Sequence, residues 1–173
     1  EDTVPLEETL AVLDGFVKAG KVRHIGVSNE TAWGVSRYLL LAATKGLARI
    51  VSIQNPYNFL NRSFDIGLAE IALRENVSLL GYSPLAFGVL TGKYLGGAKP
   101  PGARLTLSER FARYNNEQAQ KALAEYVALA KAHGLDPVDM ANAWAATRRV
   151  VTSSIIGGTS VAAGTAIMAL TMH

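Results

Sequence analysis

Ser78-Leu79-Leu80-Gly81-Tyr82-Ser83-Pro84-Leu85-Ala86-Phe87-Gly88-Val89-Leu90-Thr91-Gly92-Lys93-Tyr94 changes character partway along its length. Its first five residues form a short apolar run of the kind buried in a parallel sheet. Pro84 has no amide hydrogen to give a ladder, so the strand stops at about that point. The small residues, glycines and lysine that follow suit a loop whose backbone lies close to a bound group. An aromatic at a strand end, followed by serine and glycine, serves equally well as a ligand seat or as a tight structural turn.

Working outward, the same strand-then-polar-exit pattern recurs at even spacing. Val22 to Val27 reads as a strand ending at Ser28-Asn29, with His24 inside it as a packed residue rather than a catalytic one. Ile50 to Gln54 is a short β-branched strand, and Asn55-Pro56-Tyr57-Asn58 is its exit. A fourth strand, Val150 to Ile156, leads into Gly157-Gly158-Thr159-Ser160.

Helical patterns separate the strands. Leu6, Leu10, Leu13 and Val17 make one apolar stripe behind Pro5, and Gly20 closes that helix. Thr31 caps a second helix carrying Trp33, Val35, Tyr38, Leu39 and Leu41 and ending near Gly46. A third spans Ser63 to Glu75. Two more follow, Glu117 to His133 and a helix capped by Asp136-Pro137 that runs to Arg148. Residues 95–116 are too long for an ordinary connection and read as a lid or mobile insertion. The tail Val161 to Met172 reads as a weak helix. Strand starts near 22, 50 and 78 give the βαβ rhythm, hence an α/β fold with a parallel sheet and right-handed crossovers.

Composition agrees with that class. Of 173 residues, 49% are hydrophobic and 18% charged, which fits a buried sheet better than a disordered chain. A net charge of +3, with no basic run interleaved with aromatics, gives no sign of nucleic-acid binding. The absence of cysteine removes disulfides and thiol-ligated metals. No apolar run approaches the ~20 residues needed to cross a bilayer, and no signal-peptide pattern opens the chain. A cytoplasmic protein with no membrane partner is the expectation.

In a parallel barrel all strand exits share one face, the face that carries function. An amide with a hydroxyl can clamp a carboxamide, a flat aromatic can stack on a heteroaromatic ring, and a Gly-Gly-Thr turn offers N–H groups to a phosphate. Together these describe a nicotinamide-dinucleotide seat, although the turn alone is weak evidence.

Three ordered segments carry a resemblance. Gly81 to Leu85 with Gly88 to Tyr94, Gly20 to Asn29, and Val51 to Asn58 resemble the seventh, fifth and sixth strand regions of the aldo-keto reductases, closest to a bacterial branch. The resemblance covers roughly residues 3–160, the C-terminal half of the family's TIM (β/α)8 barrel. It implies one (βα)4 half-barrel domain over 1–173, matching units five to eight, and an NADPH-dependent oxidoreductase. It also implies that Ser28, Asn29 and Gln54 hold the nicotinamide carboxamide and that Tyr82 stacks on the ring. Ser83, Pro84 and Leu85, with Gly88 and Lys93, would line the pyrophosphate, and Gly157, Gly158, Thr159 and Ser160 the adenosine phosphate. The family then places Gln and Asn on a helix reaching the adenine. Val161 to Met172 contains neither, so NADP(H) binding is expected to be weak or lost there.

The family draws its catalytic Asp, Tyr, Lys and His from its first four units. No segment here offers them in those settings, so no catalytic residue is assigned and the chain alone is expected to be inactive. Four parallel strands also leave two open edges and an uncovered inner face. Closure by a second copy, giving a homodimer of eight strands, or by a partner chain supplying the other half-barrel, is the expectation. The alternatives are a non-catalytic interaction module that self-associates through its sheet edges, a fragment, and a binding protein for another small molecule.

Overall fold

In a computed structural model, residues 4–157 are described. Four parallel strands form one sheet in the order β1-β2-β3-β4: β1 Ile25–Ser28, β2 Ile50–Pro56, β3 Ser78–Tyr82 and β4 Val151–Ile155. The helices are α1 Leu6–Lys18, α2 Ala32–Lys45, α3 Leu68–Glu75, α4 Arg104–Leu107, α5 Glu117–Ala132 and α6 Pro137–Ala146. Strand and helix alternate as the βαβ rhythm requires, and the α/β class follows. The chain forms two compact units, one comprising the chain up to Asn55 plus Ser63–Leu80, the other Pro56–Arg62 plus the chain from Gly81 onward.

In the first unit, β1 and β2 pair through Ile25↔Ile50, Gly26↔Ser52, Val27↔Ile53 and Ser28↔Gln54, with an irregularity between Ile25 and Gly26. Glycine is needed at that irregularity. A Cβ on Gly26 would lie 2.8 Å from the backbone oxygen of Ser52 and nearer still to its hydroxyl. Leu10, Ile25, Val35, Tyr38, Ile50, Ile53 and Leu79 make the core. Thr31 caps α2 by accepting from the Gly34 amide at 3.1 Å, and Gly46 ends it in the left-handed region. Asp14 is buried on α1, pairs with Lys18 at 2.6 Å and accepts from the Ala48 amide at 2.8 Å.

Three local expectations change. β1 begins at Ile25, three residues later than expected, and His24 is exposed before it. The chain turns at Gly20 with φ 68° and uses Lys21 to His24 to reach the sheet. The third helix is broken: a 3-10 turn at Ser63–Asp65 precedes Gly67, whose φ of 80° ends helical geometry, and α3 starts afresh at Leu68. Ile66 falls in that break and is exposed. Trp33, expected on the apolar face of α2, is 68% exposed.

In the second unit, residues 95–116 are not a detached flap. Tyr94 and Tyr114 are buried with Ala86, Val89, Leu90, Leu123, Val127 and Ala141, so the segment between the two tyrosines packs on the same core as α5 and α6. Asn116 caps α5 and Asp136 caps α6, with Pro137 at its first turn. A ring network, Phe59 on Tyr126 at 4.5 Å, Phe59 on Trp144 at 4.6 Å and Tyr57 on Trp144 at 5.3 Å, ties the segment after β2 to both helices. Among the described residues no helix is long and apolar enough to cross a membrane.

Candidate functional site

At the ends of β1 and β2 the first unit brings Ser28, Asn29 and Gln54 together. The Gln54 backbone carbonyl accepts from the Ser28 hydroxyl at 3.1 Å and from the Asn29 amide at 3.0 Å. The Asn29 side-chain amide donates to the Ser28 oxygen at 3.2 Å. Ser28 and Asn29 are exposed, and Gln54, itself half-buried, joins the cluster through its backbone carbonyl. Asn29 sits at φ 55°, a left-handed geometry that asparagine tolerates better than most residues and that recurs at ligand-binding turns. Asn55, next along β2, is buried and its Oδ1 has no hydrogen-bond partner.

The second unit holds the exit of β3. Tyr82 is half-buried, Ser83 follows at φ 56°, and Pro84 is buried. Ala86, Phe87 and Gly88 then take three consecutive left-handed conformations, φ 48°, 60° and 91°. Such a run of non-glycine strain persists only where surrounding contacts fix it. Lys93 lies back across this turn: a Cβ on Gly88 would be 3.3 Å from the Lys93 Nζ and Cε. The bare backbone of Gly88 and the ammonium beside it leave a cradle that a side chain would fill, which fits an anionic group such as a pyrophosphate.

Two residues that carry the geometry of this exit received no role from the sequence. Asn58 is fully buried; its Nδ2 donates to the Ser83 carbonyl at 2.9 Å and its Oδ1 accepts from the Leu60 amide at 3.0 Å. It thereby holds Ser83 in its left-handed turn. Its place just after Asn55-Pro56-Tyr57, where an amide can serve two backbone groups at once, was the available signal. The hydroxyls of Tyr114 and Tyr82 hold the Arg113 guanidinium pKa above the ordinary arginine value. Arg113 also lies 5.9 Å from the centre of the Phe87 ring. Nothing in the sequence brings a residue 31 positions away to Tyr82.

Among the described residues nothing lies within 4 Å of a Cβ built on Gly157. Gly158, Thr159, Ser160 and the tail from Val161 lie outside the described residues.

The model of the Aldo/keto reductase family matches residues 1–170. "Protein tas" of Escherichia coli is 58% identical over 158 residues, covering 91% of this chain and 46% of that protein. An aldo-keto reductase of Babesia bovis is 37% identical over 163 residues, 91% of this chain and 57% of its own length. The L-glyceraldehyde 3-phosphate reductase of Escherichia coli is 29% identical over 166 residues. The chain thus spans about half the length of the curated relatives it matches, and its Tas-like character agrees with the bacterial branch it resembles. With a family match over nearly its whole length, the chain belongs to the aldo/keto reductase family.

Proposed function

We propose that this chain carries the NADP(H)-binding half of an aldo-keto reductase barrel and lacks carbonyl reductase activity by itself. The observation that carries this reading is the exit of β3, where half-buried Tyr82, the strained turn from Ser83 to Gly88 and the Lys93 ammonium occur in one short segment. When bound, the nicotinamide supplies hydride to a carbonyl. Tyr82 offers a flat face for the ring. Ser28, Asn29 and Gln54 offer the hydroxyl and amides that a carboxamide needs. Ser83, Pro84, Leu85, Gly88 and Lys93 line the pyrophosphate. No segment of these residues supplies the family's Asp, Tyr, Lys and His group, so proton delivery must come from elsewhere.

We further propose that the sheet margins are covered by a second copy of the chain, giving a homodimer. Gly26 and Ser28 on β1 and Thr152, Ser153 and Ile155 on β4 are exposed, as unpaired margins would be. A partner chain supplying the other half-barrel, or self-association of a module with no catalytic role, would cover the same margins.

Titration of NADPH followed by its fluorescence tests the first reading. Saturable binding is expected, weakened about tenfold in Tyr82→Ala, since ring stacking contributes roughly 0.5–1.5 kcal/mol beyond area burial. Unchanged affinity in that variant removes the stacking role, and the absence of any saturable change removes the reading. Sedimentation equilibrium tests the second: a monomer at micromolar concentration rules out the homodimer.

A further inference from the structure

The outward face of α2 is more apolar than a solvated helix face needs to be. The packed face is Val35, Tyr38, Leu41 and Ala42, all buried. Trp33, Arg37 and Leu40 recur at i, i+4 and i+7 and so form a second stripe on nearly the opposite side. Trp33 is 68% exposed and Leu40 49%, and Arg37 is the one charge on the helix before Lys45. A helix apolar on both sides is one that something covers on both sides.

A cleft borders the stripe on each flank. In one of about 380 Å3, Trp33, Arg37 and Leu41 face Pro5, Leu6 and Glu7 at the start of α1. In the other, of about 410 Å3, Leu40 and Ala43 face Ile71 and Arg74 of α3. The stripe is therefore a ridge beside a groove, a shape complementary to itself: turned over by a twofold axis, each ridge enters the groove of the other copy. The charges agree with that operation. Arg37 is exposed and pairs with no carboxylate among the described residues. Glu7, on the far wall of the α1 cleft, is exposed and meets Lys45 at 3.2 Å, and a carboxylate has room for a second donor. A twofold that sets one Arg37 on the other copy's Glu7 makes the same pair in the reverse direction. Tryptophan and arginine are also the residue types that dominate binding energy at protein interfaces.

We propose that the ridge of α2 is a self-association surface on which a second copy of this chain packs about a twofold axis, Trp33 entering the groove and Arg37 meeting the other copy's Glu7. This surface uses α1 and α2 and none of the margin residues of β1 and β4, so it stands whether or not those margins are covered.

Sedimentation equilibrium of the full chain tests this with Arg37→Glu, Glu7→Arg and Trp33→Gln. All three changes are at exposed side chains, so far-UV spectra should match that of the unaltered chain. The unaltered chain should associate, and each variant alone should associate at least tenfold more weakly, because like charges then meet or the ring is gone. An equal mixture of Arg37→Glu and Glu7→Arg should recover association, since only unlike charges meet across the axis of a mixed pair. That recovery is a result that loss of folding cannot produce. A residual dimer in Arg37→Glu, with larger assemblies only in the unaltered chain and the mixture, would show the ridge and the sheet margins both in use. Association that survives all three variants comes from the sheet margins and overturns the inference. A mixture no better than its components overturns it too, as does an unaltered chain that stays monomeric, which would leave the ridge to a different protein.

Discussion

Near its surface the first unit carries ion pairs: Lys45 of α2 with Glu7 of α1 at 3.2 Å and Arg49 with Glu75 at 3.5 Å join separate segments, and Lys18 with Asp14 at 2.6 Å and Arg74 with Glu70 at 2.7 Å lie within α1 and α3. Its candidate groups, Ser28 and Asn29, stand exposed at the strand ends and bond to each other and to one carbonyl. The second unit is joined by rings, and its strand exit is wrapped in a core of its own built from the chain that follows it. Exposed hydrogen-bonding groups can exchange a protein partner for a ligand at small cost, whereas a turn fixed by buried rings keeps its shape with or without one. The first arrangement suits groups that must grip and release a carboxamide. The second suits a preformed cradle for an anion.

The sharpest way to break this contrast is to remove a ring. Tyr94 is buried at 2% exposure, its hydroxyl accepts from the Leu105 amide at 3.3 Å, and the Lys93 ammonium lies over its face at 5.3 Å. Tyr94→Ala should cost about 3–5 kcal/mol in urea unfolding, as large-to-small aromatic changes in cores do. Hydrogen exchange should quicken most between residues 86 and 114. Equal quickening in α2 and β1 would show that the buried rings do not act locally. Tyr94→Phe, which keeps the ring, should cost about 1 kcal/mol, the usual net value of one hydrogen bond.

Two asparagines give the next test. Asn58→Ala strands the Ser83 carbonyl and the Leu60 amide in a buried setting and should cost about 1–3 kcal/mol. Asn29→Ala loses an exposed hydrogen bond and places alanine at φ 55°, so its stability cost should be nearer 1 kcal/mol. In NADPH binding the order should reverse in kind: Asn29→Ala weakens affinity directly, and Asn58→Ala only as far as the turn loosens. Equal stability costs for the two would remove the distinction between an exposed gripping group and a buried supporting one.

That distinction also marks what sequence could and could not reveal. The strand-and-exit rhythm was legible because a parallel sheet needs apolar runs at even spacing. β3 was delimited to the residue because Pro84 fixes its end. The caps at Thr31, Gly46 and Asp136 were legible because each solves a local hydrogen-bonding problem. The break at Gly67 and the late start of β1 were not, because both depend on where the chain must meet the sheet. Arg113 and Asn58 were missed for a related reason. Their roles lie in contacts with Tyr82 and Ser83, 31 and 25 positions away, and no local pattern encodes those pairs.

The smallest expected effect concerns Asp14, which links α1 to the chain leading into β2 by accepting from the Ala48 amide. Its hydrogen bond to Lys18 lowers its pKa most strongly; burial opposes that, and the Ala48 bond and the Lys18 charge add to the lowering. Because the folded-state value lies below the unfolded one, near 3.9, the carboxylate contributes stability that is fully present above about pH 4. That contribution is lost as pH falls through the folded-state value. Urea midpoints measured from pH 6 down to pH 2.5 should therefore converge for the unaltered protein and Asp14→Asn, whose amide still accepts from Ala48 and has no charge to lose. Added salt should narrow the difference at pH 6, because Lys18 is 67% exposed and its side of the pair is screened. No difference between the two at pH 6 would show that Asp14 acts only through its bond to Ala48, which the amide keeps. The link from α1 to the chain before β2 would then rest on geometry rather than on charge.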